Sequence, residues 1–366
     1  MADSHTGSPR TSADVPLPAP PRLPSLTGLR WFAAFVVFGF HVHHSGLTDD
    51  PVISGILGVL FEAGASGVPF FFVLSGMVLT WSARPGTRPS TFWRRRAARV
   101  LPNHVATWIG VLALLFVLGE VFRTGPAISG LFLVQAWFPD EAYYFGGNTP
   151  AWSLSCELAF YAAFPLLLPL VRRIPGKRLW AVAVAMFGGI WLVPLATLAL
   201  PVDLGYWFVW IFPITRALEF ALGMTIAVMV REGRWHGPGL LPSGLLVLAA
   251  YLTVPYVPDA WGWVAWMAGP YAVLIAAAAV ADVRGSRSLL RAPVLVWLGE
   301  VSFAFYLVHQ SVVRLVAWLA GDQPQAPLAL AGIAAMLALA VAAAWALYRI
   351  VERPLERRLS GARVTG

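Results

Sequence analysis

The sequence predicts an all-α membrane protein, a polytopic bundle of about ten transmembrane helices with both termini in the cytoplasm. Three observations carry that expectation. Of 366 residues, 58% are apolar and 12% charged, about half the charge of a soluble domain, and the mean hydropathy is +0.70. Apolar runs near the 20 residues that cross a bilayer recur along the chain. The basic residues are confined almost entirely to alternate connections between those runs. A water-exposed exterior is thereby excluded. The net charge of +8 does not point to nucleic acid, because the arginines cluster between apolar runs instead of covering a solvated face with aromatic stacking positions. The single cysteine, Cys156, excludes an internal disulfide and, with no Cys/His pairing, argues against a structural zinc site.

Residues 1–25 are rich in Pro, Ser and Thr, mix acids with arginines, and lack the apolar core and cleavage site of a secretory signal; they read as a disordered tail. The ten expected spans are 26–44, 56–81, 101–121, 152–171, 179–200, 206–230, 240–254, 261–283, 294–319 and 328–350, each a run of apolar residues bounded by Pro, Gly or charge. The domain organisation is therefore a tail over 1–25, a transmembrane domain over 26–350 and a short basic tail over 351–366. Residues 128–138 are apolar but short and read as interfacial or re-entrant. The connection over 122–151 is the longest; its Gly146, Gly147, Asn148 and Pro150 make it the expected lid.

Orientation follows from charge. All but Arg30, Arg123, Arg216 and Arg314 of the 26 basic residues lie in the N-terminal tail, in the connections after spans two, four, six and eight, or at the C-terminal end. The opposite connections carry Asp49, Asp50, Asp140, Glu141, Asp203, Asp259 and Asp322. An even number of spans with both ends inside satisfies this pattern, and a bacterial cytoplasmic membrane is the expected location.

Charge within hydrocarbon is costly, so each intramembrane ionisable residue is a functional candidate. Arg30 and His41 are the most informative pair. Eleven residues apart, they lie within about 20° on one helix face and about 16 Å apart along its axis. A neutral imidazole is suited to accept a proton near neutral pH, which makes His41 the candidate general base. His43 points about 200° away from His41 and His44 lies on a neighbouring face; no third ligand can be placed from the sequence, and no metal site is expected.

Six segments, in order, resemble the acyltransferase 3 family of integral-membrane acyltransferases. They are LTGLRWFAA over 26–34 leading to His41, GVPFFFVLSG over 67–76, FWRRRAARVLP over 92–102, WSLSCE over 152–157, LGEVSFAFYLVH over 298–309 and VERP over 351–354. The resemblance spans nearly the whole chain. It implies a ten-helix fold and transfer of an acyl group from a coenzyme A thioester to a hydroxyl, with acyl-CoA as a co-substrate and no tightly bound cofactor.

Within that frame Arg30, Arg95, Arg96 and Arg99 are the candidate donor-binding residues, because guanidinium forks recognise phosphates bidentately. Arg96 and Arg99 match the family's RxxR segment and share a helix face if a helix begins at Phe92; ordinary positive-inside anchoring is the competing reading of Arg95, Arg96 and Arg99. Glu157 is the candidate partner that orients or stabilises the His41 ring, as the carboxylate does in a catalytic triad. Asn148, Trp152 and Ser153 are candidate oxyanion donors or substrate-lining groups, with Tyr306 and His309 lining the same cavity. Cys156 has no basic neighbour in sequence and reads as a small core residue, so no acyl-enzyme is expected.

The phrasing of SLTGLRWFAA and FFFVLSGMVLTWS is closest to the family's antibiotic-pathway branch, which implies a macrolide or other polyketide, or its sugar, as acceptor. Acylation of an envelope saccharide or lipid-linked glycan is the alternative. A transporter or flippase is the competing class, but the two halves share no repeat of the kind carriers show.

Overall fold

A computed structural model describes residues 21–121, 123–321 and 325–360, and among these there are helices and turns but no strand. The helices are α1 (Pro24–His43), α2 (Pro51–Phe61), α3 (Gly67–Ser82), α4 (Pro89–Leu118), α5 (Thr124–Leu131), α6 (Glu141–Tyr144), α7 (Trp152–Arg172), α8 (Leu179–Leu192), α9 (Val202–Tyr206), α10 (Pro213–Arg231), α11 (Leu240–Thr253), α12 (Asp259–Trp261), α13 (Met267–Val283), α14 (Pro293–Ala320), α15 (Ala326–Leu347) and α16 (Arg353–Leu359). Prolines open α1, α2, α4, α10 and α14, where the missing N–H has no partner to lose. Asp50 caps α2 by accepting from the amides of Val52 and Ile53. Gly119 closes α4 at φ 70°, the left-handed geometry glycine adopts without strain.

Nine helical runs among the described residues are long and apolar enough to cross a membrane. This multi-pass bundle matches the expected fold class with three differences. The expected seventh span is α11, 14 residues long, about 21 Å at 1.5 Å per residue and short of the roughly 30 Å hydrocarbon layer; Pro255 and Pro258 stop it early. The basic segment expected as a loop before span three is already helical, because Pro89 starts α4 and the residues RRRAAR favour helix. At the other end, α15 passes through a π-turn, Tyr348–Glu352, into α16, so the chain stays helical beyond residue 350. Most of the expected disordered tail, residues 1–20, and the final 361–366 lie outside the described residues.

The second span is two helices joined by a 3-10 segment, Glu62–Ser66. The long connection after α4 holds only short helices. Its side chains are tied to the bundle: Trp108 Nε1 donates to Ala127 O at 3.1 Å, Gln135 Nε2 to Ala151 O at 2.9 Å, and Trp207 Nε1 to Ala136 O at 2.9 Å. This segment, expected as a lid, is thus fastened at several points.

Small residues let helix backbones touch. A Cβ on Gly223 would lie 1.9 Å from Val73 O, and one on Gly76 would lie 2.0 Å from Phe220 O, so α3 and α10 meet backbone to backbone. The same holds for α1 and α14, where a Cβ on Gly299 would lie 1.8 Å from Thr27 O. Ser25 fastens the start of α1 to the end of α13 through two hydrogen bonds to Asp282, 2.8 Å from its amide and 2.7 Å from its hydroxyl.

Gly223→Ala should therefore force α3 and α10 apart, destabilising the protein by about 1–3 kcal/mol, as overpacking does. Gly188→Ala, a helical position with open space around it, is the control. Heat-induced unfolding in detergent should show a lower midpoint for the first variant and an unchanged one for the second; equal midpoints would contradict the backbone contact.

Candidate functional site

The side chains of α1 that face the bundle interior organise the site. His41 Nδ1 lies 2.9 Å from Val37 O and 3.0 Å from His309 Nε2. His309, fully buried on α14, places its Nδ1 2.7 Å from Tyr306 O and 3.3 Å from Phe305 O. Carbonyl oxygens only accept, so the partners assign the proton of a neutral His309 to Nδ1 and the lone pair to Nε2. His41 Nδ1 then faces two acceptors and carries a proton as well. The free lone pair of the pair of rings is left on His41 Nε2, the atom a general base needs.

This geometry changes two sequence expectations. The partner that orients His41 is His309, 268 residues away, instead of Glu157. Glu157 accepts from the Tyr161 hydroxyl at 2.6 Å, one helical turn along α7, and lies within electrostatic reach of Arg30, Arg96 and Arg99. His309, expected to line the substrate cavity, is fully buried behind Tyr306 and bonded to His41, and is not among the residues lining the narrow cavity.

Two cavities run inward from the arginine-rich end of the bundle. The narrower, about 260 Å³, is lined by Arg30, Arg96, Arg99 and Glu157 at one end and by Ser153 and Tyr306 at the other. Ser153 Oγ and Tyr306 Oη are 2.9 Å apart, and both lie within hydrogen-bond distance of Pro150 O, at 3.0 and 3.2 Å. The Tyr306 ring sits 5.7 Å from that of His309, centroid to centroid, which connects this end of the cavity to the histidine pair. The wider cavity, about 710 Å³, lies between the α3–α4 turn and the end of α7, and its lining includes Arg84, Arg95, Arg96, Arg172 and Arg173 with no carboxylate. The two cavities share Leu79, Ser82 and Arg96.

The predicted basic residues divide between these spaces. Arg96 borders both cavities, and its buried Nε has no hydrogen-bond partner. Arg95 belongs to the wide one. Arg30 and Arg99 line the narrow one, and Arg99 Nη1 is already paired with Glu356 Oε1 at 3.4 Å. Arg30 and Arg99 also lie within electrostatic reach of the buried Glu352 of the VERP segment, whose carboxylate accepts from Asn103 Nδ2 at 2.6 Å. Arg84, Arg172 and Arg173 were not singled out in the sequence; their only signal was their place in the basic connections after spans two and four.

Asn148 and Trp152 do not line the narrow cavity. Asn148 Nδ2 donates to Leu307 O at 3.1 Å, bracing the start of α7 against α14, and the Trp152 ring packs edge-on to Phe72. Cys156 is fully buried, with its thiol 3.2 Å from Ile211 O, and is not among the residues lining the narrow cavity. A buried ion pair unassigned from the sequence, Arg216 to Glu219 at 3.0 Å, supports the core of α10, with the guanidinium over the Phe72 ring at 5.1 Å.

Comparison with known proteins adds the chemistry. The profile of a family described as an acyltransferase domain matches residues 23–349. Acyltransferase MdmB of Streptomyces mycarofaciens is 42% identical over 358 residues, 92% of each chain. The exopolysaccharide production protein ExoZ of Rhizobium meliloti is 29% identical over 83% of this chain and 93% of its own. The putative peptidoglycan O-acetyltransferase YrhL of Bacillus subtilis is 27% identical over 80% of this chain, which spans 49% of that protein. No solved structure matches the chain.

His309→Ala should lower the turnover of acyl transfer on the order of 10²-fold, the scale on which a mispositioned general base fails, while KM stays within about twofold. His309→Gln, whose amide oxygen can still accept from His41 Nδ1, should recover part of the loss. Equal turnover in wild type and His309→Ala would remove the positioning role.

Proposed function

The chain belongs to the acyltransferase 3 family, and from that premise we propose that it is an acyl-CoA-dependent O-acyltransferase acting on a hydroxyl of a small acceptor, a macrolide or other polyketide or its sugar. The observation that carries the donor assignment is that Arg96 lines both cavities. Coenzyme A has a wide, multiply anionic nucleotide end and a slender pantetheine arm. The larger cavity, with five arginines in its lining, suits the first, and the smaller one, whose lining reaches Ser153 and Tyr306, suits the second.

In this reading Arg84, Arg95, Arg172 and Arg173 hold the phosphates, Arg96 guides the arm, and Arg30 and Arg99 line its path. The acceptor hydroxyl attacks the thioester carbonyl carbon while His41 Nε2 takes its proton. The tetrahedral oxyanion collapses, the carbon–sulfur bond breaks, and the departing thiolate receives that proton as coenzyme A leaves. The Ser153 and Tyr306 hydroxyls at the end of the narrow cavity are the candidate donors to the oxyanion. Thiolate leaves readily, so no acyl-enzyme is required, in keeping with the burial of Cys156. Glu157 acts through Tyr161 and the arginines, tempering their charge beside the arm.

The wide cavity opens among the connections after spans two and four, which the positive-inside rule puts in the cytoplasm. A bacterial cytoplasmic membrane with the donor drawn from the cytosol follows. The likeness to a Streptomyces acyltransferase along 92% of both chains favours the small-acceptor reading. The names of ExoZ and YrhL favour a second one, O-acylation of an envelope saccharide or lipid-linked glycan by the same machinery. Membership in an acyltransferase family sets aside the transporter reading.

Calorimetric titration of coenzyme A into detergent-solubilised protein tests the donor site. A charge-assisted contact is worth about 1.5–3 kcal/mol, so Arg95→Gln, Arg172→Gln and Arg173→Gln should each weaken binding by roughly tenfold to a hundredfold. Lysine at the same positions should recover only part, since an ammonium lacks the bidentate fork. Unchanged affinity in all three glutamine variants would mean that the nucleotide binds elsewhere.

A further inference from the structure

The C-terminal turn of α1 carries three histidines, and the chemistry above uses one. The other two turn toward Glu62, the residue at which the second span breaks into its 3-10 segment. His43 Nε2 lies 3.2 Å and His44 Nε2 3.9 Å from the same Glu62 Oε2, and the three atoms lie within 4.8 Å of one another. We propose that His43, His44 and Glu62 form a binding site for a divalent transition ion of the zinc type, joining the end of α1 to the break in the second span.

The donor set is two imidazole nitrogens and one carboxylate oxygen, the N/O combination that zinc takes with a fourth position left to water. At zinc bond lengths of about 2.0–2.2 Å, ligand atoms in a tetrahedral shell stand about 3.3 Å apart. The observed separations approach that spacing, and rotation of partly exposed side chains closes the remainder. His44 is already oriented for the task. Its Nδ1 is 2.9 Å from Phe40 O, which fixes the proton on Nδ1 and the lone pair on Nε2, the arrangement of a ligating histidine held by a backbone carbonyl. Its ring also packs on Phe40 at 4.2 Å between centroids. The side chains are 21% (His43), 46% (His44) and 42% (Glu62) exposed, so an ion reaches them from the aqueous side. Gly58, one turn before the break, presents no side chain against the His43 ring, whose Cε1 is 3.5 Å from where a Cβ would stand. This explains what the sequence could not supply, since the third ligand sits on another helix and the expectation of no metal site rested on its absence.

The test is zinc uptake by untagged, detergent-purified full-length protein, followed by calorimetric titration with zinc chloride. Wild type should take up one equivalent. His43→Gln, His44→Gln and Glu62→Gln should each weaken binding at least tenfold, whereas His236→Gln, which alters an exposed histidine elsewhere, should leave it unchanged. Zinc should also raise the heat-unfolding midpoint of wild type and not that of the three variants, and magnesium or calcium should do neither. Failure of wild type to bind one equivalent, or zinc binding by all three variants as in wild type, would overturn the site and leave a simple histidine–carboxylate contact.

Discussion

The hydrogen bond between His41 Nδ1 and His309 Nε2, 3.0 Å long, sets where the protons of the two buried rings sit and so what the site can do. It ties α1 to α14, which also meet backbone to backbone at Gly299, where a Cβ would lie 1.8 Å from Thr27 O. The carbonyls of Phe305 and Tyr306 fix one ring, that ring fixes the next, and the outcome is a lone pair on a single defined atom. A buried imidazole with no such chain would be free to take either tautomer, and the Nε2–H form would present N–H where a base is needed.

Charge is distributed with equal economy. Within the helical bundle, guanidinium groups have carboxylates near them: Arg216 with Glu219, Arg314 with Glu120, and Arg30 and Arg99 with Glu352, Glu356 and Glu157. Burying a charge without a partner is costly, and these pairings keep the interior close to neutral. The wide cavity is the exception, with five arginines and no acid in its lining. In the proposed reading this unbalanced cluster is what draws the anionic donor, without the cost of stripping a charge deep in the membrane.

Much of this was legible in the sequence because hydropathy and alternating charge report on the solvent that each segment meets. Arg30 and His41 could be set on one face because they share a helix, and local geometry needs no tertiary knowledge. Glu157 and Tyr161, four residues apart, were open to the same reasoning. The pairing of His41 with His309, the gathering of Arg84, Arg172 and Arg173 around one cavity, and the approach of Glu62 to His43 bring distant segments together, and no periodicity encodes them. The shortness of α11 was concealed because an apolar run says how a segment is solvated and only the prolines say where its helix stops. The helical basic segment was hidden for the converse reason, since hydropathy is blind to a polar stretch that propagates as helix.

The central claim is that His41 Nε2 accepts the proton in a direct transfer from a coenzyme A thioester. Its most direct test is release of free thiol from acetyl-coenzyme A by detergent-solubilised wild type and His41→Ala protein supplied with a hydroxylated macrolide, with folding of each checked by its unfolding midpoint. Loss of the base should lower the rate by at least about 10²-fold with the fold intact. A variant that keeps more than about a tenth of the wild-type rate would contradict the claim and place the base elsewhere.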